Sequence, residues 1–271
     1  IEAYYSGRRD LFRGLYIDTV EKEWEVHPIL HLDLNTANYK EPDSLDAVLN
    51  NSLTEWEKLY GAEPSETTAP LRFKGIVERT AKLTGQKTVI LIDEYDKPLL
   101  QNMTNAVQQE HFRNSLKAFY SVLKTQDRYI EFALLTGVTK FSKVSVFSDL
   151  NNLNDISMDR SYATICGITE EEIDTCFKDS VEELARTNGL TIEETRARLK
   201  ELYDGYHFTP TSAGIYNPFS VLCTFSKQEF NNYWFETGTP TFLAEMLKNF
   251  KYRLPDLTKE QVTADVLNSI D

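Results

Sequence analysis

The fold is decided by the stretch TVILIDEYDKP, residues 88–98, in which an apolar run ends abruptly on two adjacent carboxylates. A short, continuous apolar run is typical of a strand that is buried on both faces of a parallel sheet. Open α/β sheets bind their ligands in the crevice beyond the carboxyl ends of the strands. The stretch therefore predicts an α/β protein in which Asp93 and Glu94 lie in a ligand-binding crevice.

A buried strand that ends in Asp-Glu is how the Walker B element of a nucleotide hydrolase is built. In such a site we expect Asp93 to hold Mg²⁺ with its water shell, and Glu94 to orient and deprotonate the attacking water. A plainer interpretation is that the acids cap the next helix, as in many α/β proteins. Asp96 is a weaker candidate for the site, because helix capping or a contact to Lys97 explains it better.

Composition limits the classes of protein to consider. The chain has 271 residues, 41% of them apolar, which is enough for one large domain or two ordinary ones. Its apolar runs are far shorter than the roughly 20 residues that a membrane span needs. A net charge of −13 argues against long-range attraction to nucleic acid or to an anionic membrane. Three cysteines without CxxC spacing favour a reducing, cytoplasmic setting.

Strand-like and helix-like segments alternate in the first half of the chain, which favours βαβ units and a mainly parallel sheet with flanking helices. We predict four strands, near Ile29–Leu34, Thr88–Ile92, Ile130–Leu135 and Tyr162–Ile165. Between the second and third, apolar residues at helical spacing predict a helix and form its core face: Phe112, Leu116, Phe119 and Leu123. After Gly167 helices dominate, and Thr169 and Thr191 precede acidic residues as N-caps do. We therefore expect an α/β core at residues 1–167 and a smaller, mostly helical domain at residues 168–271.

Small polar and basic residues follow the third predicted strand. In a P-loop ATPase, the strand beside the Walker B strand ends in a polar residue that bonds the attacking water or the γ-phosphate, and Thr136 occupies that position. Lys140 or Lys143 would add positive charge where phosphate charge develops. A solvated basic loop explains either lysine equally well.

Several longer motifs resemble those of a known family, the bacterial AAA-ATPase-like proteins, whose P-loop domain commonly precedes a PD-(D/E)XK nuclease-like domain. In chain order they are EAYYSGRRDLFRGLYI (2–17), LIDEYDKPLL (91–100), LLTGVTKFSKVSVFSDLNNLNDIS (134–157), YDGYHF (203–208), YNPFSVL (216–222) and YWFETGTP (233–240). The resemblance spans nearly the whole chain. It implies a P-loop NTPase-type fold and Mg²⁺-dependent ATP hydrolysis, with Asp93 as metal ligand, Glu94 as general base, Thr136 as sensor and Lys140 as a nucleotide contact.

One element of that family does not occur in the 271 residues. They contain no GxxxxGK[ST] loop, whose backbone N–H groups and lysine anchor the β- and γ-phosphates. The chain also opens on Ile1 rather than Met. We expect it to be a piece of a longer protein that supplies the first strand, the P-loop and a downstream nuclease-like domain. By itself the piece should bind ATP and Mg²⁺ weakly, and the missing strand should leave a sheet edge unpaired.

Two functions of different classes stay open. The first is an ATPase module that regulates the attached nuclease-like domain, with the helical domain as a lid. The second is a nucleotide-gated or inert interaction scaffold with little turnover. Aromatic motifs at Tyr203–Phe208 and Tyr233–Trp234 suit a docking surface, but core packing explains them better. The partners expected are ATP and a protein or a second copy of the chain, with no membrane and with nucleic acid only through the absent domain.

Overall fold

The structure is a computed structural model of the 271-residue chain, and it describes residues 1–138, 146–147, 150–207 and 212–233. Within these ranges the chain divides into two compact units. The first takes in residues 1–153 and the second residues 154–233.

The first unit is built on a three-stranded parallel sheet. Its strands are β1, Ile29–Asp33, β2, Thr88–Asp93, and β3, Ile130–Leu135, and they lie side by side in the order β1-β2-β3. In the β1–β2 pair, Asp33 is the register partner of Asp93, so both strands end at the same level. Three of the four predicted strands and their parallel arrangement are confirmed, and the fold class is α/β.

Six α-helices belong to the described part of the first unit. They are α1, Glu2–Tyr5, α2, Tyr16–Val20, α3, Ser44–Tyr60, α4, Ala69–Thr84, α5, Lys97–Leu100, and α6, Ala106–Thr125. Short 3-10 helices occur at Arg9–Phe12, Leu34–Thr36 and Asp127–Tyr129. The chain passes through α3 and α4 between β1 and β2, and through α5 and α6 between β2 and β3, because parallel neighbours need crossover connections.

The central strand β2 is the best-covered element of the sheet. Its residues 88–92 are at most 8% exposed, which explains the continuous apolar run in the sequence. Helix α6 contributes the predicted core face, since Phe112, Leu116, Phe119 and Leu123 are all buried. The ring of Phe119 stacks on that of Phe73 in α4, with centroids 4.4 Å apart. No residue of β3 is fully buried, so this strand is the least covered of the three.

The second unit is mostly helical. It contains α7, Glu170–Thr175, α8, Lys178–Asn188, α9, Ile192–Tyr203, and α10, Pro218–Lys227, with a small antiparallel pair of β4, Asp204–Tyr206, and β5, Ile215–Tyr216. Helices α7 and α9 begin with capping boxes. Thr169 exchanges hydrogen bonds with Glu172, and Thr191 does the same with Glu194. Both predicted helix starts are confirmed.

The fourth predicted strand, Tyr162–Ile165, is wrong. A 3-10 helix at Arg160–Tyr162 and a run of turns occupy this stretch. Asp159 begins it by accepting a 2.8 Å hydrogen bond from the backbone N–H of Ser161, and the N–H of Ile165 bonds the Tyr162 carbonyl three residues back. Because these local bonds satisfy the backbone and the Ile165 side chain is 66% exposed, the segment has neither a ladder partner nor an apolar face to bury.

None of the described helices combines the length and the apolar content that crossing a membrane requires. The longest of them, α6, is amphipathic, with buried apolar residues on one side only. All three cysteines carry free thiols.

Candidate functional site

Polar side chains from all three strands meet at the carboxyl edge of the sheet. Asp33 ends β1, Asp93 ends β2, and Thr136 directly follows β3. The N–H of Thr136 donates to the carbonyl of Ile92 at 2.9 Å, which continues the sheet by one residue. Sequence analysis predicted Asp93 and Thr136 at this edge but missed Asp33. The signal was available, because Asp33 lies at the end of the first predicted strand.

Asp93 is held through only one of its two carboxylate oxygens. Its Oδ1 accepts a short hydrogen bond from the Thr136 hydroxyl and a 3.1 Å bond from the N–H of Glu94. No described residue donates to Oδ2, and the side chain is exposed, so this oxygen is accessible to a ligand.

The donor set at Asp93 suits a hard divalent cation. Carboxylate and hydroxyl oxygens are the ligands that Mg²⁺ prefers. Within the described ranges, no group of three or more His, Cys, Asp or Glu side chains is arranged to hold a metal ion. A metal at Asp93 would therefore need further ligands from water and from a phosphate, which is how Mg²⁺ is usually bound in nucleotide sites. The residues present fit a shared Mg²⁺ and do not form a cage of their own.

Glu94 has an unusual backbone conformation and a carboxyl group with a shifted pKa. Its φ of +56° lies in the left-handed region, which disfavours residues other than glycine. The side chain is half-buried, and burial raises the pKa of its carboxyl, as do the negative charges of Asp96 and Asp93. The ammonium of Lys97 opposes this rise. A carboxylate with a raised pKa binds a proton more readily than an ordinary glutamate, which suits a general base.

A bridge of hydrogen bonds that sequence analysis did not predict joins the ends of β1 and β2. Lys97 Nζ donates to the carbonyl oxygen of Asn35 at 3.0 Å and makes a short bond to Asn35 Oδ1. The N–H of Asn35 in turn donates to Asp33 Oδ1 at 2.7 Å. The bridge holds an ammonium group beside the acidic edge of the sheet. Nothing in the sequence links Asn35 to Lys97, which lies 62 residues further along the chain.

Asp96 is fully buried and does not cap the helix that follows it. It occupies the N-cap position of α5, yet its side chain makes no capping hydrogen bond. Instead, Asp96 Oδ1 accepts a 3.2 Å bond from the N–H of Val138, in the segment after β3. The capping interpretation of Asp96 is therefore wrong, because the carboxylate reaches across to a different part of the chain.

Three of the four predicted site residues share the same edge of the sheet. Asp93 and Glu94 are consecutive, and Thr136 bonds to Asp93. Lys140, predicted as a nucleotide contact, lies outside the described residues, as does Lys143.

Comparison with known proteins connects this edge to a family. The sequence model of a family described as "Predicted AAA-ATPase" matches residues 1–147, the part of the chain that carries the three strands and the polar edge. The chain belongs to the predicted AAA-ATPase family. Membership in this AAA-ATPase family makes ATP and Mg²⁺ the ligands to expect in general.

A relative of this AAA-ATPase family member carries no established function. It is described as "Uncharacterized protein in vnfD 5'region", from Azotobacter chroococcum mcd 1, and is 37% identical over 270 residues. The alignment covers 98% of this chain and 49% of the relative, so the chain spans about half the length of the curated relative it matches. No solved structure matches the chain.

Proposed function

We propose that the chain is most of a Mg²⁺-dependent module that binds and hydrolyses ATP and regulates an attached nuclease-like domain. The observation that carries the proposal is the hydrogen bond between Thr136 and Asp93 beside Glu94, at the carboxyl edge of a parallel sheet. Family membership over residues 1–147 supports it independently.

Asp93 is the proposed metal ligand, through its accessible Oδ2. When bound, Mg²⁺ would neutralise charge on the phosphate oxygens of the nucleotide. Thr136 keeps Asp93 Oδ1 occupied, which fixes the rotation of the carboxylate. The aspartate thus enters the reaction already oriented rather than having to be ordered by the ligand.

Glu94 is the proposed general base. Its raised pKa favours accepting a proton from the attacking water, and the ammonium of Lys97 opposes the rise. Because its O–H already donates to Asp93, the Thr136 hydroxyl would orient the attacking water by accepting a hydrogen bond from it, and Lys140 would add positive charge in the transition state. The helical second unit would act as the lid.

The phosphate-binding loop would come from residues upstream of Ile1. No GxxxxGK[ST] occurs in the 271 residues, and the curated relative is about twice as long as the chain. The partly exposed β3 is the strand beside which the missing strand would pair, and its incomplete burial supports this arrangement.

The test is calorimetric binding of Mg²⁺-ATP to the 271-residue chain and to the whole product of its gene, combined with phosphate release. We expect binding and turnover only in the whole protein. There, Glu94→Gln should keep binding and lower turnover about 10²- to 10⁴-fold, the usual contribution of a general base. Glu55→Gln, at an exposed position of α3, is the matched control and should change neither quantity.

The same experiment decides between the proposal and the scaffold function. A whole protein that binds Mg²⁺-ATP without turnover would be a nucleotide-gated scaffold. A whole protein that does not bind Mg²⁺-ATP at all would rule out the ATPase proposal, leaving an inert interaction scaffold.

A further inference from the structure

Hydrogen bonds at both ends of the segment Thr136–Val138 hold it to β2 and to the turn after β2. Three of them alternate in direction: Thr136 N–H donates to the Ile92 carbonyl at 2.9 Å, Tyr95 N–H donates to the Thr136 carbonyl at 2.9 Å, and Val138 N–H donates to Asp96 Oδ1 at 3.2 Å. The first two are backbone bonds that any sequence would make. The third depends on one side chain.

Packing does not explain how this segment is fixed. All three of its residues are exposed, and the Val138 side chain is 71% exposed, so little apolar burial holds it in place. Hydrogen bonds to the neighbouring chain therefore contribute to its order. Among these three bonds, only the bond to Asp96 is made by a side chain, so it can be removed by substitution.

Asp96 is also the residue against which Gly137 fits. A Cβ atom at Gly137 would lie 2.7 Å from Asp96 Oδ1 and 2.7 Å from Tyr95 Cε1, closer than real contacts allow. The absence of a side chain at position 137 thus lets the segment approach the buried carboxylate closely enough to bond it. The contact with Asp96 therefore requires a glycine at position 137.

Burying a carboxylate costs free energy unless hydrogen bonds or an opposite charge compensate it. Asp96 is 0% exposed and does not cap α5. We infer that Asp96 is a positioning residue that holds Thr136–Val138 against the turn and thereby keeps the Thr136 hydroxyl on Asp93. Its effect on catalysis rests on the proposed function, whereas its hold on the segment does not.

The test uses Asp96→Ala, Asp96→Asn and Gly137→Ala in the whole protein. Amide hydrogen exchange at Val138 reports directly on the hydrogen bond between Val138 and Asp96. The kcat and KM for Mg²⁺-ATP report the effect of that bond on catalysis. Asp43→Asn is the matched control, since Asp43 is an exposed aspartate at the N-cap of α3 that also makes no side-chain capping bond.

In Asp96→Ala we expect exchange at Val138 to become about tenfold or more faster, because a bond to a charged acceptor is lost. We expect kcat to fall about tenfold to a hundredfold with little change in KM, because the Thr136 hydroxyl would still be present but would no longer be held in position. Asp96→Asn keeps an acceptor oxygen of the same shape and should restore most of both. Gly137→Ala keeps Asp96 but adds a methyl group that pushes the segment away from its carboxylate, so it should mimic Asp96→Ala, which covers the case in which Asp96→Ala fails to fold.

Two results would overturn the inference. One is unchanged exchange at Val138 in both Asp96→Ala and Gly137→Ala. The other is faster exchange with unchanged kcat in a protein that hydrolyses ATP. A wild-type protein that does not bind Mg²⁺-ATP would instead overturn the proposed function, and the exchange measurement would still decide whether Asp96 holds Val138.

Discussion

Replacing Glu94 by glycine should make the protein more stable while removing its proposed base. A left-handed backbone conformation costs an ordinary L-residue about 1–2 kcal/mol, and the φ of Glu94 is +56°. Glycine avoids that cost but loses about 0.5–1 kcal/mol more backbone entropy on folding. The free energy of unfolding should therefore rise, by up to about 1.5 kcal/mol. For a unit of this size, Tm should rise by up to about 6 °C.

Glu94→Gln separates the charge from the backbone strain. The pKa of Glu94 is raised in the folded state, so folding disfavours its ionised form. This penalty is absent when the pH is below the pKa of Glu94 in the unfolded state, because the carboxyl is then protonated in both states. It is fully present when the pH is above the pKa of Glu94 in the folded state. Glutamine keeps the strain but removes the charge. Its gain in Tm over wild type should therefore appear at pH 7.5 and vanish as the pH falls below the ordinary pKa of a glutamate.

The assay is calorimetric unfolding of wild type, Glu94→Gly and Glu94→Gln at several pH values, with differences from wild type taken at each pH. Glu55→Gln serves again as the exposed control and should show no pH-dependent gain. A lower Tm for Glu94→Gly at pH 7.5 would refute the argument from backbone strain. An equal gain for Glu94→Gln at acidic and neutral pH would refute the argument from charge.

Three further predictions test the site and the two units. Thr136→Val removes the hydroxyl at the sheet edge, and we expect about a hundredfold loss of turnover with little change in calorimetric Mg²⁺-ATP binding. Tyr39→Phe removes a buried hydroxyl that donates to the Leu34 carbonyl at 2.8 Å, so urea denaturation should show a loss of about 1–3 kcal/mol; an unchanged midpoint would contradict this. Thr80→Val and Thr195→Val each replace a buried hydroxyl that has no partner among the described residues, and each should add about 1 kcal/mol to the stability of its own unit. A loss of stability would mean that the hydroxyl is hydrogen-bonded in solution.

The parts of the fold that sequence predicted correctly are those encoded by short-range patterns. Strand β2 is a continuous apolar run, and Thr169 and Thr191 each stand three residues before a glutamate, so both signals are complete within a few positions. Tyr162–Ile165 failed because a four-residue run says nothing about whether a neighbouring strand or core face covers it. The side chain of Asp159, just before the run, was the local signal for a turn.

The same contrast between short-range patterns and long-range contacts applies to the residues of the site. The placement of Asp93, Glu94 and Thr136 at one edge of the sheet was predicted because strand ends can be read from the sequence, and parallel strands bring their carboxyl ends to one edge. The bond between Lys97 and Asn35 could not be found, because no pattern pairs residues that are so far apart in the chain. Asp96 shows the limit most clearly. A helix N-cap and a contact to Val138 need the same residue type, and only the tertiary structure chooses between them.

The strain at Glu94 follows from how firmly its neighbours are fixed. Strand β2 is hydrogen-bonded on both sides and buried up to Ile92, so the position and direction of Asp93 are set by the sheet. The chain must then turn at once, because the next residues carry Tyr95 N–H to the Thr136 carbonyl and the Asp96 carboxylate to Val138. The single residue between these two anchors has to absorb the change of direction. A glycine would do so at lower energy, so stability alone does not explain a glutamate at this position, and the strain is consistent with the general base that we propose beside Asp93.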